Sequence, residues 1–125
     1  MLMHEKFKKP IYVQLQNFVE FIDTKNVNAL QTNFGISMLI FEEIEETLGE
    51  YFPVSVSLGI APFEIAFSEI AGTTTPIDLY TMNDPEKWGL ECVLWANNKR
   101  SEPILHAEIE IFGDIIKFQY KYIGS

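Results

Sequence analysis

Residues 104–123, ILHAEIEIFGDIIKFQYKYI, decide the fold. Two alternating runs, Ile104–Phe112 and Ile115–Ile123, flank Gly113-Asp114, and glycine at the first position of a two-residue turn is a hairpin signature. If Phe112 faces Ile115, then Ile111 meets Ile116, Ile109 meets Phe118, Ala107 meets Tyr120 and Leu105 meets Tyr122. The opposite face pairs Glu110 with Lys117, Glu108 with Gln119 and His106 with Lys121. One face is apolar throughout and the other polar. Each such cross-strand pair adds up to ~1 kcal/mol, and a slip of one residue would exchange the two faces. The spacing therefore predicts both a hairpin and its register.

Working outward, Leu90–Ala96 reads as a strand, Asn97–Glu102 as a polar loop, and Pro103 as the first residue of the next strand. Ile77–Met82 reads as a strand closed by the turn signal Asn83-Asp84-Pro85. Residues 51–87 are less regular: Val54–Leu58 fits a short strand, Pro62–Ile70 a helical turn or a strand, and Gly72 with Thr73, Thr74 and Thr75 a turn. The first third is helical in period. Ile11, Leu15, Phe18 and Ile22 recur on one face, predicting a helix over about 11–24 that begins after Pro10. Val27, Leu30 and Phe34 share a face of a second helix ended by Gly35. Ser37 caps a third, with Ile40, Ile44 and Leu48 on its apolar face, Gly49 where a left-handed cap is expected and Tyr51-Phe52-Pro53 closing it. Helices first and an antiparallel meander after them make an α+β domain spanning residues 1–125, with the helices on the apolar face of the sheet.

The composition supports a packed core. With 125 residues, 47% hydrophobic content and ten phenylalanines, the chain can bury roughly two thirds of its unfolded surface. Cys92 is the sole cysteine, which excludes an intrachain disulfide and a thiolate zinc cluster. No apolar run approaches the ~20 residues that span a bilayer, and Met1–Lys6 lacks the apolar segment of a secretory signal. The expectation is a soluble protein of a reducing compartment, the bacterial cytoplasm.

Charge is distributed unevenly. Residues 26–86 contain no lysine, arginine or histidine but ten carboxylates: Glu42, Glu43, Glu45, Glu46, Glu50, Glu64, Glu69, Asp78, Asp84 and Glu86. The flanks nearly cancel, so the net charge of −9 arises in the middle of the chain. Solvated helix faces usually intersperse lysine with glutamate, because like charges three or four apart cost a few tenths of a kcal/mol. A one-signed block projects a field that attracts basic partners and repels nucleic acid. Partner binding is accordingly assigned to Glu42, Glu43, Glu45, Glu46, Glu50, Asp78, Asp84 and Glu86, on the premise that these anions gather into one exposed surface.

Other constellations carry less chemistry. Cys92 sits mid-strand among Val93, Leu94 and Trp95 and reads as inert core. His106 has no serine or cysteine spaced to act as its nucleophile, but on a concave sheet face it would line a pocket with Trp95, Glu108 and Glu91. A dimetal carboxylate site needs Glu-x-x-His pairs, and the only histidines are His4 and His106, so no metal or other cofactor is expected. The basic tip at Lys99-Arg100 is too small to hold nucleic acid against the overall charge. The strand Phe118-Tyr120-Tyr122 would support a homodimer if exposed and would serve equally well as core.

The strand Trp88–Trp95, followed by Arg100-Ser101-Glu102 and an alternating strand, resembles a family of small uncharacterised bacterial domains in which a Leu-Trp strand end precedes an Arg-Ser-acidic turn. The similarity covers the last two thirds of the chain and departs at Pro103, His106 and Ala107, where that family favours leucine and threonine. The layout is also similar to the nuclear-transport-factor-like cone shared with ketosteroid isomerases, which implies a curved sheet. Such cones host enzymes, carriers, binding modules and toxin-immunity proteins, so fold does not settle function. Two readings follow. One is a non-enzymatic acidic binding protein, an immunity protein that neutralises a basic toxin. The other is a small-molecule binder or isomerase/dehydratase-type enzyme with its pocket between helices and sheet.

Overall fold

The computed structural model describes residues 5–69 and 74–125. Three helices, α1 (Glu5–Asp23), α2 (Val27–Phe34) and α3 (Met38–Tyr51), precede a short strand β1 (Leu58–Gly59) and a helical turn α4 (Phe63–Ala66). Four strands follow: β2 (Ile77–Thr81), β3 (Lys87–Ala96), β4 (Lys99–Phe112) and β5 (Ile115–Gly124). All pairings are antiparallel: β1 and β2 share one edge of β3, β4 lies on its other edge, and β5 is outermost. The sheet curls into a half-barrel with the helices on its inner face, an α+β arrangement as the helix-then-meander pattern predicts. No helix among the described residues is long and apolar enough to cross a membrane.

The core forms where the two periodicities meet. Ile11, Leu15, Phe18 and Ile22 of α1 pack onto Leu90 and Cys92 of β3, Leu105, Ala107 and Ile109 of β4, and Phe118 and Ile123 of β5. Phe18 sits at the centre, fully buried, with its ring 5.1 Å from Phe34, 5.3 Å from Phe118 and 5.5 Å from Tyr120. Tyr12 is buried too, and its hydroxyl donates to the Ala61 carbonyl at 2.6 Å, tying α1 to the segment before α4.

Local signals explain most boundaries. Asn26 and Ser37 cap α2 and α3, their side chains accepting from Ala29 N–H and Ile40 N–H. Gly35 takes the left-handed conformation at the end of α2, with φ of 65°. One expected helix start and one expected cap move. α1 already includes Glu5 and so contains Pro10, because the bond that proline forgoes lies in the early turns of the helix and Phe7 is packed against the core. α3 runs through Gly49, where a left-handed cap is expected, and closes at Tyr51-Phe52-Pro53 as the sequence predicts, Pro53 forcing the backbone of Phe52 to extend.

The strands differ from expectation in three places. Of the segment 54–58 only Leu58 reaches the sheet, joined there by Gly59, while residues 62–69 make a helical turn over Phe63–Ala66, one of the two forms their pattern allows. The expected polar loop at 97–102 is a tight turn: Asn97 and Asn98 both adopt positive φ, 52° and 65°, so that β4 begins at Lys99. Pro103 then lies inside β4, where the β3–β4 register shifts and β3 asks no hydrogen bond of it. The turn expected around Gly72-Thr73 lies outside the described residues.

The hairpin register holds from Phe112↔Ile115 through Ala107↔Tyr120 and then slips. His106 pairs with Tyr122 and Leu105 with Ile123, which leaves Lys121 as an extra residue in β5. Tyr122 therefore leaves the apolar face expected for it, and Ile123 takes its place in the core.

Candidate functional site

The acidic run divides between two surfaces. On α3, Phe41, Ile44 and Leu48 are buried, which turns Leu39, Glu42, Glu43, Glu46 and Glu50 to the opposite, solvent side. Leu39 is 66% exposed and Met38 56%. Glu45, on the flank, pairs with Lys25 at 3.4 Å. Among the described residues, Glu42, Glu43, Glu46 and Glu50 enter no ion pair. Glu43 is close enough to Tyr120 to oppose its ionisation; burial first, and this carboxylate second, push the phenol up to about 12.

The other three assigned acids lie elsewhere. Asp78 stands on β2 opposite Glu91, and Asp84 shapes the β2–β3 turn by accepting from Glu86 N–H at 2.9 Å. Glu86 uses its carbonyl to receive Ile111 N–H. Because β2 joins the edge of β3 away from β4, while α3 packs against β4 and β5, the expected single surface is two.

The expected pocket of Trp95, His106 and Glu108 does not assemble. His106 and Glu108 alternate with the core residues Leu105, Ala107 and Ile109, so they stand on the sheet face turned away from the helices. Trp95 packs against the core at the end of β3, its Nε1 buried without a hydrogen-bond partner among the described residues. A groove of about 660 Å³ does lie between α1, α2 and the hairpin, floored by Phe21, Phe34, Ile116 and Phe118. Its lining contains neither a carboxylate nor a histidine, so it offers no pair for proton abstraction and return.

The outer sheet face instead holds a continuous polar-aromatic row. Asp78, Glu91, His106 and Tyr122 are successive cross-strand partners over β2, β3, β4 and β5. His106 Nδ1 lies 3.6 Å from Glu91 Oε1, and its ring stacks on Tyr122 with centroids 4.1 Å apart. Beside this row the Tyr80 ring lies across Gly89, on the site a Cβ would occupy. Burial and the nearby charges of Glu91, Asp78 and Glu108 raise the Tyr80 phenol above its ordinary value. Glu108 is bridged to Lys121 at 3.5 Å.

Cys92 is buried in the core, and desolvation pushes its thiol far up, which removes it as a nucleophile. Among the described residues no group of three or more histidine, cysteine, aspartate and glutamate side chains is placed to hold a metal ion.

Comparison with family models, curated proteins and solved structures gives no match. The residues that sequence reasoning missed are Leu39 and Tyr80. Gly89 in the middle of a strand was the available signal for Tyr80, since such a glycine marks close approach by another group.

Proposed function

We propose that this chain is a non-enzymatic acidic binding protein that docks onto a basic partner protein through the solvent face of α3. One observation carries the reading: an exposed leucine and four exposed glutamates share that face, and among the described residues none of the four carboxylates has an ion-pair partner. The arrangement costs the isolated helix, because Glu42–Glu46 and Glu46–Glu50 are like-charge pairs at i,i+4. An apolar anchor beside carboxylates suits a partner with a basic rim around an apolar pocket. A cytoplasmic bacterial immunity protein that covers the cationic active site of a cognate toxin, such as a nuclease, is the form of this function that the charge distribution favours.

The test is co-purification with a partner identified by mass spectrometry, at low and at high ionic strength. A partner of high isoelectric point is retained at low salt and released at high salt, because steering and rim contacts are screened. Changing Glu42, Glu43, Glu46 and Glu50 together to lysine abolishes retention. Undiminished retention by that variant would remove α3 as the docking face.

A further inference from the structure

The outer sheet face carries an arrangement that folding alone does not account for. Asp78 and Glu91 are directly opposed across the β2–β3 ladder and share a face, where like charges destabilise a strand pair. Asp78 makes no ion pair or side-chain hydrogen bond among the described residues, and Glu91 has only the His106 ring at 3.6 Å. Beside these carboxylates stands the Tyr80 phenol ring, 43% exposed, and beyond His106 in the same row lies that of Tyr122, 55% exposed. Both rings are held in place, Tyr80 by the bare backbone of Gly89 and Tyr122 by its stack on His106. Departures from local stability rules that have no packing benefit concentrate where a protein binds something.

We propose that this row is a receptor for an arginine side chain presented by a partner protein. A guanidinium is planar: it stacks on an exposed aromatic ring and directs two N–H edges at separate carboxylate oxygens, which a lysine ammonium does not do. Asp78 and Glu91 supply the acceptors and Tyr80 the ring, while Tyr122, stacked on the far side of His106, backs the imidazole. Binding removes the Asp78–Glu91 repulsion that the free protein bears. Asp78, Tyr80 and Tyr122 are exposed, and an open face of this kind fits a side chain delivered by a macromolecule. Glu108, the remaining carboxylate nearby, is already neutralised by Lys121. A second copy of this chain is a poor occupant, since two-fold pairing would bring these carboxylates together.

The experiment is an NMR titration of the full chain with N-acetyl-arginine-amide and, as its neutral isostere, N-acetyl-citrulline-amide. The arginine compound produces saturable shifts at Asp78, Glu91, His106 and the two tyrosines, while the citrulline compound produces less than about a tenth of that response. Asp78→Asn and Glu91→Gln each weaken binding about tenfold, and Tyr80→Ala by about threefold. The carboxamide variants also melt at a higher temperature than the wild type, a gain that a purely structural role for these carboxylates would turn into a loss. Four results overturn the proposal: no saturable shift at tens of millimolar arginine compound, equal response to citrulline, undiminished affinity in the carboxamide variants, or shifts at the row on diluting the protein alone, which would assign the face to self-association. The α3 reading depends on retention of a whole partner and is unaffected by any of these.

Discussion

His106 and Tyr122 stack nearly parallel, their planes 9° apart, because β5 contains one residue more than β4 between the pairs Ala107↔Tyr120 and Leu105↔Ile123. Without the bulge the two aromatics would stand on opposite faces. With it, Tyr120 lies under Phe18 in the core while Tyr122 lies outside. The two tyrosines should therefore respond differently to truncation. Tyr120→Ala is expected to cost about 3 kcal/mol and Tyr122→Ala about 1 kcal/mol in urea denaturation. Equal losses would mean that Tyr122 also faces the core.

The Tyr80 ring over Gly89 predicts a spectroscopic signature. In the wild type the Gly89 α-protons are shifted upfield by the ring current, and Tyr80→Ala abolishes that shift. Gly89→Ala displaces the exposed Tyr80 ring and changes stability by less than about 1 kcal/mol, since the strand gains order as the stack is lost.

Burial of Cys92 fixes the sign of the alkaline pH dependence. Its folded pKa lies above the unfolded value, so the unfolded chain releases the thiol proton first. Stability contributed by this group is intact below about pH 8.5 and falls by about 1.4 kcal/mol per unit above it. Tyr120, at about 12, adds a second decline above pH 10, in the same direction. Urea midpoints measured from pH 7 to 10 should fall in the wild type, and Cys92→Ala should remove the onset near pH 9. In the folded state a disulfide reagent should react with Cys92 only as fast as the core opens.

Phe18 joins α1, α2 and β5 through three ring contacts, so Phe18→Ala should lose ~3–5 kcal/mol. Against a total of ~5–15 kcal/mol this leaves a marginal fold, which thermal unfolding would register as a drop of tens of degrees or as loss of the transition.

The glutamate face of α3 predicts opposed effects on stability and binding. Glu46→Lys converts the repulsions with Glu42 and Glu50 into attractions and should stabilise the protein by about 1 kcal/mol at low salt, less at high salt. The same change should weaken partner retention. A variant that loses stability instead would show that Glu46 has a folding role.

Period and turn chemistry made the three helices, the four main strands and the hairpin tip legible, because these depend on neighbours within a few residues. Gly35, Ser37 and Gly113 act locally and read directly. Three features were not legible. Whether Gly49 or Pro53 ends α3 depends on which constraint acts on the next residue. That Asn97 and Asn98 both take positive φ requires strands on either side to demand a tight turn. The bulge at Lys121 has no compositional mark, since the flanking residues alternate equally well in either register.

For the site the division is sharper. The chain by itself determined that its excess negative charge lies in residues 26–86 and that Glu42, Glu43, Glu46 and Glu50 share a helix face, because helical spacing converts sequence distance into direction. Only the tertiary structure decided that Asp78, Asp84 and Glu86 lie apart from them, and that Asp78, Glu91, His106 and Tyr122 form one row. Strand order and register set those neighbours. Both arise from packing the whole sheet against the helices, a long-range balance that no local pattern encodes.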